Sequence, residues 1–238
     1  MHTMKKSMTS RQRQLNNTTK ARSPKNGDNQ PAGSVRIIGG HLKRRSVDFI
    51  DAEGLRPTPD RMRETLFNWL LADIHGASVL DSCAGSGALG FEALSRGAAH
   101  CTFIEANPSQ AQRLSTNAKL LHLDPDAYNV LVGRAEQLLI QHNVAHPFNL
   151  VFIDPPYAQD LWQSILTALI TQSLITLDTL IYLEADKDLT LQLNQLADRL
   201  NQNLDPKAET TQGAIAFECL KQTKVGQVVA GLYRLAPS

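Results

Sequence analysis

Ser78-Val-Leu-Asp-Ser-Cys-Ala-Gly-Ser-Gly-Ala-Leu-Gly-Phe-Glu-Ala-Leu-Ser-Arg-Gly97 reads as an apolar strand, a glycine-rich turn and a helix that Gly97 ends. Glycines let the backbone turn sharply and approach a ligand, while the first helical N–H groups point at it. Gly85, Gly87 and Gly90 satisfy GxGxxG, the spacing of a dinucleotide-binding turn. Asp81 stands at the strand tip, four residues before the first glycine. A carboxylate there can face a cationic amine instead of a pyrophosphate. Taken alone, the stretch admits either ligand.

Working outward, strand and helix alternate. The strand CTFIEA ends in Glu105-Ala106 and is followed by a helix from Pro108 to about Leu121, with proline in its first turn. Then come strand NVLVG, helix AEQLLIQH, strand FNLVFID, helix LWQSILTALI and strand TLIYLEA. Such alternation predicts an α/β fold, a mostly parallel sheet with helices on both faces. AIAFECLKQ and QVVAGLYRL, joined around Val225-Gly226, predict a C-terminal antiparallel hairpin. Residues 186–212 are expected to hold one helix within a long connection. Upstream, Pro57 and Pro59 frame an extended segment, and Asp60 is expected to cap a helix from Arg61 to Leu71. Leu66, Trp69 and Leu70 give that helix a buried stripe. VRIIGG and RRSVDFI predict a short strand pair bending at Gly39-Gly40.

The chain has 238 residues, 42% hydrophobic and 20% charged, which suits a folded core and excludes global disorder. No apolar run approaches the roughly 18 residues of a membrane span. The basic start lacks the apolar stretch of a secretory signal. Three scattered cysteines, with no CxxC, point away from a disulfide framework or a zinc site and toward a reducing cytoplasm. The seven histidines form no metal spacing, so no metal is expected. Net charge is only +1, yet residues 1–45 carry eleven Lys/Arg against Asp28 alone, and the remainder is acidic. A basic arm on an acidic body is a nucleic-acid signature, although a solvated tail has the same composition. Residues 1–33, without aromatic residues, Val or Ile, are expected to be a disordered basic arm. Residues 34–55 then form a basic hairpin and 56–238 the main domain.

The motif that separates the ligands is Asp154-Pro155-Pro156-Tyr157, placed where the strand NLVFI ends. Open α/β sheets bind ligands at that edge. Two prolines remove two N–H donors, leaving the Asp154 carboxylate and the Pro155 carbonyl as acceptors without local competitors. That pair suits an exocyclic NH₂ group, which offers two hydrogens, and Tyr157 offers a ring for a planar base. Glu105, ending the neighbouring strand, can accept both hydroxyls of a ribose. A dinucleotide oxidoreductase would leave DPPY unused.

With Glu105 and DPPY added, the glycine-rich stretch resembles that of the class I S-adenosylmethionine-dependent amino-methyltransferases. More narrowly, RIIGG, LRPTPDRMRETLFNWL, DSCAGSGALGFEALSRGA and FIDPPY, in that order, resemble the RsmD-type methyltransferases of 16S ribosomal RNA, which methylate guanine N2. The resemblance runs from about Val35 to the C-terminal hairpin. It implies a Rossmann-like domain with a seven-stranded sheet, S-adenosylmethionine as methyl donor, and 16S rRNA as partner, free or within a small subunit or its assembly intermediate. DNA and protein-glutamine amino-methyltransferases share the glycine and proline motifs but do not readily explain the basic arm, RIIGG and RPTPDR.

The resemblance also implies roles. Asp81 would face the amino group of the methionine part, lined by Cys83, Ala84, Gly85, Ser86 and Gly87. Cys83 is read as packing there, with no nucleophilic part. Glu105 would hold the ribose and Ala106 would lie beside the adenine. Arg56, Thr58 and Arg61 would close over the methionine end. Arg134 stands where relatives commonly carry an aspartate for the adenine amine. An arginine cannot accept, which leaves the Ala135 N–H as the adenine contact. Asp154, Pro155, Pro156 and Tyr157 would form the catalytic group. Arg36, Lys43, Arg44 and Arg45 would hold the RNA backbone, Arg44 standing where a turn would ordinarily carry glycine. Arg11, Arg13, Lys20 and Arg22 would add weaker contacts. Trp69 and Trp162 are expected in the core.

Overall fold

The computed structural model describes residues 31–50, 58–141, 147–155, 161–202, 214–226 and 228–238. The expected basic arm, Arg56, Pro156 and Tyr157 lie outside the described residues, apart from residues 31–33. An N-terminal pair, β1 (Gly33–Arg36) and β2 (Ser46–Phe49), is antiparallel, with Val35 opposite Val47. Helix α1 (Asp60–Trp69) leads to β3 (Ser78–Asp81), α2 (Ala88–Ser95), β4 (His100–Glu105) and α3 (Pro108–Leu120). After a 3₁₀ turn come β5 (Tyr128–Val132), α4 (Ala135–Gln141), β6 (Leu150–Ile153), α5 (Trp162–Thr171) and β7 (Leu180–Ala185). Helix α6 (Leu189–Gln202) lies in the long connection, and β8 (Ile215–Val225) and β9 (Val228–Pro237) form the hairpin around Gly226.

Seven strands make one sheet in the order β5-β4-β3-β6-β7-β9-β8. The first five run parallel, and β9 returns antiparallel between β7 and β8. From β3 the chain winds outward through β4 and β5, then jumps back to β6 on the other side of β3. That reversal opens a crevice at the carboxyl ends of β3 and β6, the position at which such sheets bind ligands.

Both faces of the sheet are apolar because successive strand residues go to opposite sides. Val79, Phe103, Phe152 and Tyr182 join one core with α1, α2, α3 and the N-terminal pair. Leu80, Ile104, Val151, Ile153, Ile181 and Leu183 join the other with α4, α5 and α6. Trp162 is buried in the second core, as expected, whereas Trp69 is half-buried at the rim of the first.

One helix is enclosed on every side: all eight residues of α2 are buried. The sheet covers one flank and the RIIGG loop lies across the other. The Ile38 N–H donates to Glu92 Oε2 (2.8 Å), and the His41 and Leu42 N–H groups donate to the Ser95 carbonyl and hydroxyl (2.8 and 2.9 Å). The Ser95 hydroxyl in turn donates to the Gly39 carbonyl (2.6 Å). Gly40 sits at φ +70°, where a Cβ would come within 1.8 Å of the Ser95 carbonyl oxygen, so the loop can close here only with glycine.

The start of α1 corrects one expectation. Pro59 occupies the cap position with no side-chain cap, and Asp60 is the first helical residue. Its carboxylate accepts instead from Arg63 (2.6 Å) and Arg36 (3.1 Å). An acid at the first turn is favourable whether or not it caps, and here two cations outcompete the backbone. No helix among the described residues is long and apolar enough to cross a membrane.

Candidate active site

The crevice is built from three strand ends. At β3, Asp81 is buried, and its Oδ2 accepts the Gly90 N–H of α2 (3.0 Å). Burial, with the nearby Glu105 charge, outweighs that bond and raises the Asp81 pKa to about 7. The following turn, residues 82–87, is bound on both sides. The Ser82 N–H and hydroxyl both donate to the Phe152 carbonyl of β6 (3.1 and 2.8 Å), and the Ala84 N–H donates to the Ile104 carbonyl of β4 (2.9 Å). Gly85 and Gly87 adopt φ +51° and +75°, which lets the chain reverse into α2. Ser86 is buried, and its hydroxyl accepts the Ala88 N–H (3.4 Å). Cys83 is half-buried, and burial pushes its thiol well up, so it stays a neutral packing group.

At β4, Glu105 holds the turn in place. Its Oε2 accepts the Gly85 N–H (2.8 Å) and its Oε1 the Asn107 N–H (2.7 Å). Burial raises its pKa against those bonds. The Ala106 N–H donates to Glu105 as well, and the carboxylate's remaining acceptor capacity is what a ribose would use. Gln110, fully buried on α3, donates to the Gly85 carbonyl (2.6 Å) and accepts the Ile50 N–H (2.9 Å), tying the turn to the N-terminal pair. Ala106 is exposed beside this edge. Ala135 opens α4 and is buried, while Arg134 turns outward, 3.9 Å from Glu136.

At β6, Asp154 and the buried Pro155 follow Ile153. The Thr58 hydroxyl donates to Asp154 Oδ2 (3.3 Å). Desolvation and the charges of Glu184 and Asp81 together push the Asp154 pKa well up, against the Thr58 bond. Glu184, buried on β7, accepts the Tyr182 hydroxyl (2.6 Å). The β6–β7 register pairs Ile153 with Leu183, so Asp154 and Glu184 occupy adjacent positions on the same face.

The RPTPDR segment meets the site differently from the expectation. Thr58 is buried against Asp154, and Arg61 is exposed on α1. The buried cation is Arg63, whose guanidinium donates to the carbonyls of Thr58 and Arg36 and to Asp60 and Glu92. Sequence reading misses Arg63, Glu92, Gln110 and Glu184. The charge of Glu92 inside an otherwise apolar helix is the one sign of a buried partner.

The four hairpin cations also divide. Lys43 and Arg44 are exposed in the turn, and Arg44 holds φ +74°. Arg36 pairs with Asp60 at the surface. Arg45 donates to the Leu120 and Leu121 carbonyls at the end of α3 (2.5 and 3.2 Å), so its charge serves the helix terminus. A hollow of about 240 Å³, lined by Asp73, His75, Asn149 and Asp178 among others, opens at the opposite edge of the sheet, away from this chemistry.

Residues 35–212 match the family described as "Conserved hypothetical protein 95". The Ribosomal RNA small subunit methyltransferase D of Haemophilus influenzae is 40% identical over 156 residues, which span 66% of this chain and 81% of that protein. Its Escherichia coli counterpart is 43% identical over 155 residues, 65% and 76% of the two chains. Among solved structures, Escherichia coli yhhF, described as a methyltransferase, superposes with a TM-score of 0.64 at 33% identity, covering 85% of this chain and 98% of its own. Trm5b of Pyrococcus abyssi, at 16% identity and a TM-score of 0.54, covers 86% and 62% and shares the fold. The match over most of the chain, on a seven-stranded sheet with its acids at the crevice, shows that the chain belongs to the RsmD family of ribosomal RNA small subunit methyltransferases.

Proposed function

We propose that this chain transfers a methyl group from S-adenosylmethionine to the exocyclic N2 amine of one guanine in 16S rRNA. The observation that carries the reading is the joining of Asp154-Pro155 to the glycine-rich turn across the crevice, through the two Ser82 bonds to Phe152. The donor set fits the cofactor. A buried carboxylate at Asp81 suits a cationic amine, and Glu105 suits a ribose diol. When bound, S-adenosylmethionine supplies a methyl already activated on a sulfonium sulfur, so the transfer needs no metal.

Asp154 and the Pro155 carbonyl accept the two N2 hydrogens. They thereby turn the nitrogen toward the methyl and favour the positive charge that grows on it. With S-adenosylmethionine held there, an N–CH₃ bond would form as the CH₃–S⁺ bond breaks, its electron pair staying on sulfur. The proton is lost from the nitrogen after attack, to Asp154 or to water beyond it, so Asp154 need not be a strong base. A guanine in a helix must leave its stack to reach this edge, and Tyr157 is assigned to receive it. Lys43, Arg44 and Arg36 attract the backbone, with a share from Arg45, and supply affinity more than sequence choice. This reading makes a small-subunit particle or its free rRNA the partner and the cytoplasm the place of work.

The test is transfer of labelled methyl to unmodified small subunits, free 16S rRNA and duplex DNA in parallel, followed by nucleoside analysis. N2-methylguanosine at a single rRNA position is the expected product. Label in DNA, or none in any acceptor despite cofactor binding, overturns the assignment.

A further inference from the structure

Thr58 and Arg63 lie between the N-terminal strand pair and the crevice, and neither has a settled part in the chemistry above. Thr58 is buried immediately before Pro59, and its hydroxyl points at Asp154 Oδ2. Arg63 is fully buried one turn into α1. A buried guanidinium must find partners for its five donors. Arg63 finds the Thr58 carbonyl through Nε (3.1 Å), Glu92 through Nη1 (3.5 Å), and the Arg36 carbonyl and Asp60 through Nη2 (2.9 and 2.6 Å). Two of those partners are backbone oxygens, one at the end of β1 and one just before α1. The cation therefore fixes where the chain runs at Thr58 as well as balancing charge.

We propose that the Thr58 hydroxyl, held in place by Arg63, is the positioning partner of Asp154: it occupies Oδ2 and leaves Oδ1 free for the acceptor amine. The proposal rests on the methyl-transfer reading above and assigns Thr58 to the aspartate in place of the methionine end of the cofactor. A carboxylate with one oxygen tethered has one way to face the amine, whereas an untethered one rotates about its Cβ–Cγ bond. The hydroxyl also favours the ionised form. It opposes desolvation and the charges of Glu184 from β7 and Asp81 from β3, while the neighbouring Cys83 thiol stays neutral and adds no charge.

Thr58→Val keeps the β-branched shape and removes the hydroxyl, and Thr58→Ser keeps the hydroxyl. Both are compared with the unaltered chain by calorimetric affinity for S-adenosylmethionine and by single-turnover methyl transfer to small subunits across pH. Thr58→Val is expected to slow transfer about ten- to a hundredfold. Cofactor affinity should stay within about twofold, and the acid limb of the rate profile should move to higher pH because ionised Asp154 has lost its donor. Thr58→Ser should restore both rate and limb. A rate loss matched by loss of cofactor affinity overturns the proposal, as does an unmoved limb or a serine that rescues nothing. A second readout needs no acceptor: the ¹³C carboxyl titration of Asp154, whose midpoint should rise in Thr58→Val. An unchanged midpoint overturns the positioning role even if rRNA is the wrong substrate, whereas failure of the unaltered chain to methylate rRNA strikes only the functional reading.

Discussion

A single dihedral angle distinguishes Arg44 from its neighbours. Its φ of +74° lies in the left-handed region, which costs an L-residue about 1–2 kcal/mol and which glycine occupies freely. Strain of this kind persists at functional sites. Arg44→Gly is therefore expected to stabilise the fold slightly, by up to about 1 kcal/mol once the entropy of an added glycine is subtracted. It should also weaken binding to small-subunit RNA most at low salt. Denaturation and salt-dependent binding read the two effects separately. Loss of both stability and affinity would mean that Arg44 packs rather than binds. Single residues also show where sequence reading ends. Asp81, Glu105 and Asp154 are legible because each closes an apolar strand within four residues of a glycine or proline, where an acid has little structural use. Arg63 is not, because a cation one turn into a helix looks like solvent face until the RIIGG loop is known to cover it. Glu184 hides likewise: TLIYLEA reads as a strand, and only the β6–β7 register sets its acid beside Asp154.

Helix α2 draws its place from charges as much as from apolar contact. Glu92 is fully buried and serves Arg63 (3.5 Å), Arg96 (2.7 Å) and the Ile38 N–H (2.8 Å) together. Arg96 also lies over the Phe67 ring, 4.9 Å from its centroid. Removing one member of a buried ionic group leaves the others uncompensated, at a typical cost of about 3–5 kcal/mol. Glu92→Leu should lose that much stability in urea denaturation, since it strands a guanidinium that has no exposure of its own. A loss under about 1 kcal/mol would show that Asp60 alone balances Arg63. At this scale the alternating apolar runs find the strands of the described sheet and the helices between them, and the one helix expected within 186–212 is α6. The start of α1 is missed because a capping preference is local, whereas the partners of Asp60 come from another helical turn and another strand.

Across the whole molecule, acids gather at the carboxyl edge of the sheet. The folded chain holds protons there that the unfolded chain would release. Asp81, raised to about 7, contributes stability that is present below its ordinary pKa of 3.8 and is lost as pH rises through about 7. Asp154 and Glu105 shift in the same direction. A bound cationic amine reverses the effect at Asp81 by favouring its ionised form. S-adenosylmethionine is thus expected to raise the melting temperature more at about pH 8 than at about pH 6, and its binding below neutrality to release a proton, visible as buffer-dependent heat. Equal shifts at both pH values, with no buffer dependence, would sever Asp81 from the amine. The parallel body of the sheet follows from the alternation of elements, and the antiparallel end from the two closing strands. The closeness of the N-terminal pair to the crevice does not, because it depends on side chains reaching across more than fifty residues of sequence, as the Glu92 carboxylate does to the Ile38 N–H.

The fastening of the RIIGG loop to Ser95 and Glu92 has a metrical consequence. The helix it grips also begins at the glycine-rich turn, so the span from the Lys43–Arg44 turn to the Asp154 carboxylate is a fixed gauge. An RNA that touches both ends must already hold its backbone and its target base at that separation. On the function proposed above, acceptor folds would be selected as a caliper selects among widths, by a length set before contact.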